Sequence, residues 1–176
     1  LDDRRQYYAF SDIEVLRKLL LRDSSDIKVT DYGAGSQVDA HKTRKIKSIT
    51  RYSATSPFFC RVLFRLINLY KPDTLLELGT SMGISTMYQQ AAAQNARFVT
   101  IEGCPHVAEM AQQNFRRLQV ENEIELVNGR FNEVLPEVLA QFKQLDYVFI
   151  DGNHREKPTL DYFEQCLEHA HEGSIF

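Results

Sequence analysis

The sequence predicts an α/β protein built on a doubly wound, mainly parallel sheet, and three observations carry that expectation. From Thr74 onward, short apolar runs alternate with amphipathic stretches of helical period. The runs are apolar on both sides, which suits strands covered by helices on two faces. The intervening stretches are long enough to cross over, and crossovers between parallel strands are right-handed. Residues 74–176 form this domain, and residues 1–73 form an N-terminal extension packed on it.

Thr74-Leu75-Leu76-Glu77-Leu78 reads as the first strand, followed by a loop and a helix over 85–94. Arg97-Phe98-Val99-Thr100-Ile101 is the second strand, and Glu102 ends it. Pro105 stands in the first turn of the next helix, where a missing N–H costs little. The inward face of that helix is Val107, Ala108, Ala111, Phe115 and Leu118. Ile124-Glu125-Leu126-Val127 is the third strand, after which Pro136 is expected to open a helix carrying Val138, Leu139 and Phe142 on one side. Tyr147-Val148-Phe149-Ile150 is the fourth strand, ending at Asp151. A helix over 158–170 turns Leu160, Phe163 and Leu167 inward, with Gly173 as its C′ residue. Ser174-Ile175-Phe176 starts a fifth strand, in which the sequence stops.

The extension is less regular. Ile13, Leu16, Leu19 and Leu20 mark an amphipathic helix, and Ile27-Lys28-Val29-Thr30 a strand. Ser56-Pro57 begins a second helix, apolar at Phe59, Val62, Leu63, Leu66 and Ile67, which runs to Tyr70 before Lys71-Pro72.

A chain of 176 residues suits one domain with a sizeable core. Its 43% hydrophobic and 26% charged residues are the balance of a soluble globular protein. No apolar run approaches the roughly 20 residues needed to cross a bilayer, so no membrane partner is expected. A net charge of −3 argues against nucleic acid as a partner. The cysteines Cys60, Cys104 and Cys166 stand apart with no CxxC pair, which argues against structural zinc. Scattered, odd in number, they fit a reducing compartment, and a cytoplasmic protein is expected. The sequence starts at Leu1 without an initiator Met, so a longer gene product is expected. A homodimer is compatible with the sequence, which sets no oligomeric state.

In an open parallel sheet, ligands bind at the carboxyl ends of the strands, near the switch in strand order. Glu77-Leu78-Gly79-Thr80-Ser81-Met82-Gly83 occupies such an end, after the first strand and before a helix whose first N–H groups are unpaired. Gly79 allows a sharp turn and a close approach to a ligand. Glu102 ends the second strand roughly 20 residues later, a distance that suits a carboxylate accepting both hydroxyls of an adenosine ribose. The alternative is a tight turn and an unrelated surface acid. The spacing Gly79-x-x-x-Gly83 is not the G-x-G-x-x-G of a dinucleotide site, and no G-K-[ST] is present. A cofactor with a ribose and no phosphate fits better, and S-adenosylmethionine is such a molecule.

Leu75-Leu76-Glu77-Leu78-Gly79-Thr80-Ser81-Met82-Gly83-Ile84-Ser85 resembles the first motif of class I methyltransferases. Asp146-Tyr147-Val148-Phe149-Ile150-Asp151-Gly152-Asn153-His154 is similar to the fourth-strand motif of the O-methyltransferase subgroup related to catechol O-methyltransferases. The resemblance spans roughly residues 57–176. It implies that Glu77, Gly79, Ser81 and Gly83 hold the amino-acid end of S-adenosylmethionine and that Glu102 holds its ribose. Gly129-Arg130-Phe131 matches the segment that lines the adenine, although the family often has Asp where Arg130 stands. Phe131 would stack on the ring or serve as an ordinary core residue.

In metal-dependent relatives the Asp matching Asp151 binds a divalent cation such as magnesium, with two further oxygen ligands from just after the fifth strand. Asp151 is accordingly a candidate catalytic group and metal ligand, or a loop-capping acid. His154 is a candidate base, or an ordinary hydrogen-bonded side chain. The family's sheet normally carries further strands, so residues beyond Phe176 are expected in the natural protein.

The resemblance implies methyl transfer to an oxygen, less readily a nitrogen, of a small-molecule acceptor. The rival readings are a non-catalytic nucleotide-binding protein of the same fold and a nicotinamide-dependent dehydrogenase.

Four further features read as structural. Asp31-Tyr32-Gly33-Ala34-Gly35-Ser36 resembles a cofactor loop but is followed by no apolar helix, and reads as a turn. The basic stretch from His41 to Arg51 reads as a solvated face. His169 and His171 are expected to sit at a helix C-terminus. Phe58, Phe59, Phe64 and Leu66 are expected in core or an interface.

Overall fold

A computed structural model describes residues 7–30 and 42–176. The glycine pair Gly33 and Gly35, with the rest of the loop Asp31 to Ser36 and His41, lies outside the described residues. The N-terminal elements are α1 (Tyr8–Leu20), β1 (Asp26–Val29), β2 (Lys42–Lys45), α2 (Ile46–Ser53) and α3 (Pro57–Tyr70). They are followed by β3 (Thr74–Leu78), α4 (Ile84–Ala92), β4 (Arg97–Glu102), α5 (Pro105–Arg117) and β5 (Glu125–Asn128). The last four are α6 (Phe131–Leu139), β6 (Leu145–Ile150), α7 (Glu156–Leu167) and β7 (Ala170–Ile175).

Strands β3 to β7 make one parallel sheet in the order β5-β4-β3-β6-β7. The chain winds outward from β3 through β4 and β5, then returns to the other side of β3 with β6. The switch in strand order therefore falls between β3 and β6, in register at Leu75↔Tyr147 and Leu78↔Ile150. A crevice opens there at the carboxyl ends.

Period-two alternation sends successive strand residues to opposite faces. Leu75 and Tyr147 join Phe10, Leu16, Phe64, Tyr88 and Phe115 under α1, α3, α4 and α5. Leu76, Leu78, Val99, Ile101 and Val148 join Leu135, Val138 and Tyr162 under α6 and α7. Burying each such side chain stabilises the fold by about 1.5–3 kcal/mol. The strand at Ile27 pairs antiparallel with β2 in a separate hairpin, Ile27 opposite Arg44. α3 is capped at its start by Ser56, whose Oγ accepts the Phe59 N–H at 3.4 Å, and at its end by Lys71 in a left-handed turn, φ 50°.

Several boundaries differ from the sequence expectation. Pro136 lies inside α6 rather than opening it. Phe131, Val134, Leu135, Val138 and Leu139 form one apolar stripe at helical spacing, and its burial outweighs the roughly 3 kcal/mol that an internal proline costs. α7 starts at Glu156, not Pro158, and buries Tyr162 and Cys166, while Leu160 and Leu167 face out. Gly173 is not a helix C′ residue, because β7 begins at Ala170. This strand is irregular: Leu145 pairs with Ala170 but Tyr147 with Ile175. The extra residues bulge, which hides a strand pattern before Ser174. His169 and His171 serve this region rather than the helix end. His169 Nδ1 lies 3.1 Å from the Phe142 carbonyl, and His171 Nε2 donates to Asp146 at 2.7 Å. Phe64 is core, whereas Phe58 and Phe59 are exposed.

Candidate cofactor site

A cavity of about 760 Å³ opens at the carboxyl ends of β3, β4 and β6. It is bounded below by Gly79, Ser81 and Glu102, on one side by Arg130 and Phe131, and at the mouth by Thr55 and Phe59.

The loop after β3 is shaped by contacts only glycine permits. Gly79 has φ +112°, and a β-carbon there would stand 2.5 Å from the Asp151 carbonyl oxygen. Gly83 has φ +76° and caps α4, and a β-carbon on it would press into the Phe115 ring. Between them Ser81 takes φ 49°, a left-handed conformation that side chains avoid. The strained turn brings the Ser81 N–H to Glu102 Oε2 at 2.9 Å. The Cys104 N–H donates to the other oxygen, Oε1, also at 2.9 Å. Burial raises the Glu102 carboxyl above its usual range, against the lowering effect of these backbone donors. A carboxylate accepts in about four directions, so a direction stays open for a ligand hydroxyl beside the backbone donors Cys104, Ser81 and Gly103.

Glu77 stands elsewhere. It is wholly buried and does not line the cavity. Ser85 and Gln89 donate to its Oε1 at 2.9 and 2.6 Å, and Thr86 and Thr100 to its Oε2 at 2.5 and 2.7 Å. Burial pushes its carboxyl up to about 6, against the pull of those four donors. Its carboxylate ties β3, β4 and α4 together beneath the loop. Gly83 and Gly129 also lie off the cavity wall, each supporting a loop: the Gly129 N–H bonds the Glu102 carbonyl at 3.1 Å.

Phe131 opens α6 at the cavity wall. Its ring meets Tyr162 edge-on, with centroids 5.6 Å apart, and a β-carbon on Gly152 would stand 2.6 Å from it. Arg130 lines the wall beside it, with Nη1 3.4 Å from Glu133.

Asp151 and His154 both line the cavity, Asp151 half-buried and His154 exposed. Burial raises the Asp151 carboxyl, opposed by the Thr55 hydroxyl, which donates to Oδ2 at 3.1 Å, and by the charge of His154. Among the described residues no group of three or more His, Cys, Asp or Glu could hold a metal ion. Asp151 and the Thr55 hydroxyl bring three oxygens together here, and the carboxylate is the only charged group of the pair.

Thr55, Asn153, Tyr162 and Arg44 are cavity residues that sequence reasoning missed. Asn153 takes φ 59° and donates from Nδ2 to the Tyr162 hydroxyl at 2.9 Å. An Asn beside a strand-end Asp-Gly is a signal that could have found it. Thr55 and Arg44 have no local signal, since their place depends on packing of the N-terminal elements. Arg44 belongs to the stretch read as a solvated face, of which Lys45 and Lys47 do pair at the surface with Asp26 and Ser24.

A sequence model of a family described as a methyltransferase domain matches residues 76–176. The catechol O-methyltransferase of Niastella koreensis is 29% identical over 124 residues, covering 69% of this chain and 55% of that protein. The catechol O-methyltransferase of Mycobacterium tuberculosis is 31% identical over 102 residues, covering 57% of this chain and 44% of that protein. The solved O-methyltransferase from Bacillus cereus in complex with SAH shares the fold, with a TM-score of 0.68 at 18% identity over 96% of this chain and 64% of that one. The chain spans about half the length of the curated relatives it matches. With the glycine loop, the strand-end carboxylate and the strand order all in place, the chain belongs to the class I S-adenosylmethionine-dependent methyltransferases, in the O-methyltransferase group related to catechol O-methyltransferases.

Proposed function

We propose that this chain is the cofactor-binding part of an O-methyltransferase that methylates a hydroxyl oxygen of a small molecule. The observation that carries the reading is Glu102, a cavity-lining carboxylate oriented by the backbone N–H groups of Ser81 and Cys104. Bound S-adenosylmethionine supplies a methyl group on a positively charged sulfur. The residues of the chain bind and orient. Glu102 accepts the ribose hydroxyls. The Gly79 turn lets the ligand's amino-acid end approach the backbone, with Ser81 beside it. Phe131 lies against the adenine. Glu77 positions the loop from beneath and Gly83 shapes it, while Gly129 sets the turn that presents Phe131.

Methyl transfer also requires the acceptor hydroxyl to lose its proton. Asp151 and His154 are the candidate groups to take it, and burial makes Asp151 a stronger base than an ordinary carboxylate. A divalent cation would use Asp151 as one ligand and would supply a lowered pKa to a coordinated acceptor hydroxyl. Arg44, Thr55 and Phe59 of the N-terminal extension line the site. Three buried free cysteines support a reducing compartment such as the cytoplasm. No helix among the described residues is long and apolar enough to cross a membrane.

The names of the relatives support a catechol-type acceptor. The test is incubation of the protein with S-adenosylmethionine and a panel of catechols, phenols and amines, with and without magnesium, following S-adenosylhomocysteine release. Turnover of hydroxyl acceptors is expected. Turnover of amines alone would overturn oxygen as the target.

A further inference from the structure

The Asp151 carboxylate is held by a residue far from it in sequence. Thr55, in the short link between α2 and α3, donates its hydroxyl to Asp151 Oδ2 at 3.1 Å. Thr55 is itself held from behind. Arg17 of α1 is buried at 6% exposure and donates from Nη1 to the Thr55 carbonyl at 2.8 Å. The same guanidinium binds Glu14 at 3.0 Å, and the Tyr88 hydroxyl of α4 donates to Glu14 at 2.9 Å. A buried guanidinium is stable only when its donors are used, so Arg17 has one low-energy placement.

We propose that Thr55 is a positioning residue for Asp151 in methyl transfer, and that Arg17 fixes Thr55 from α1. The proposal rests on the reading of Asp151 as a group at the reacting centre. A lone carboxylate at a strand end can rotate about its side-chain bonds. One hydroxyl donor on one oxygen selects a rotamer and leaves Oδ1 directed elsewhere for the acceptor. Transfer rates depend steeply on alignment, so losing that selection slows the chemical step without removing the cofactor contacts, which lie on Gly79 and Glu102. The arrangement also gives α1 a role in the reaction although it lines no part of the cavity.

The test compares wild type, Thr55→Val, Thr55→Ser and Arg17→Met with catechol as acceptor, measuring kcat, the KM for S-adenosylmethionine and the Kd for S-adenosylhomocysteine. Thr55→Val keeps the shape of the side chain and removes the donor. It is expected to lower kcat by about tenfold to hundredfold, with KM and Kd within about threefold of wild type. Thr55→Ser restores most of the loss. Arg17→Met lowers kcat in the same way, and the double variant is no worse than Thr55→Val alone. Should Arg17→Met fail to fold, the two Thr55 variants decide the matter by themselves. Wild-type kcat in Thr55→Val overturns the proposal, as does equal impairment of Thr55→Val and Thr55→Ser. A Kd that weakens in step with kcat overturns it too, since that marks a merely structural role. A wild-type protein that binds S-adenosylhomocysteine but methylates no hydroxyl acceptor overturns the functional reading, and the positioning role falls with it.

Discussion

Gly79 and Asp151 pack backbone against backbone: a β-carbon on Gly79 would lie 2.5 Å from the Asp151 carbonyl oxygen. The relationship joins the two strands that flank the switch point. The Asp151 N–H also bonds the Leu78 carbonyl at 2.9 Å. The candidate cofactor loop and the candidate catalytic carboxylate are thus positioned by shared backbone contacts.

Gly79→Ala is expected to disrupt both. The new methyl meets backbone, which cannot swing aside, and φ +112° is strained for any side chain. A loss of about 2–4 kcal/mol is expected. Guanidinium unfolding, read beside S-adenosylhomocysteine binding, checks it. An unchanged midpoint with unchanged affinity contradicts the close packing.

The buried Glu77 makes stability depend on pH. Its folded carboxyl is raised to about 6, above the ordinary value of 4.5. A raised carboxyl favours the protonated form in the folded state. Its contribution is therefore fully present below the unfolded value and is lost as pH rises through about 6. The change amounts to about 2 kcal/mol. Glu77→Gln removes the titration, so the difference in unfolding free energy between variant and wild type should change across this window. A difference that stays flat from pH 4 to 7 contradicts the assignment.

Asp146 works in the opposite direction. Burial would raise it, but hydrogen bonds from His171 and Thr74 outweigh that and hold it below the usual range. Its stabilisation is present above the unfolded value and is lost as pH falls through the lower folded value. Asp146 Oδ2 accepts the N–H groups of Asp73 and Thr74, both at 2.8 Å, and Oδ1 accepts from His171 of β7. Asp146→Ala should destabilise the protein by about 1–3 kcal/mol, measured by denaturant unfolding at neutral pH. Hydrogen exchange should report β7 opening first. Equal exchange in β7 and β3 contradicts this linkage.

The sheet and its ligand-binding end were legible in the sequence for a local reason. β3, β4 and β6 are continuous apolar runs, and the first two end in a glycine loop and an acid whose spacing reflects one βαβ unit. β7 was not legible before Ser174 because its bulge breaks the two-residue period. The inward face of α7 was misplaced because Leu160 and Leu167 are more apolar than Tyr162 and Cys166, although burial follows geometry. The place of Glu77 in the motif is visible in the sequence and its four donors are not: Thr100 lies on another strand. Thr55 was invisible for the same reason, being 96 residues from the carboxylate it binds.

Glu102 and the Gly79 loop are expected to bind an adenosine ribose without a phosphate. Calorimetric titration of wild type and Glu102→Ala with S-adenosylhomocysteine, with NAD as control, measures this binding. Wild type should bind S-adenosylhomocysteine and not NAD. Glu102→Ala should lose about 1.5–3 kcal/mol of binding for each charged hydrogen bond removed, a weakening of at least about tenfold. Unchanged affinity in Glu102→Ala, or binding of NAD alone, would contradict the account.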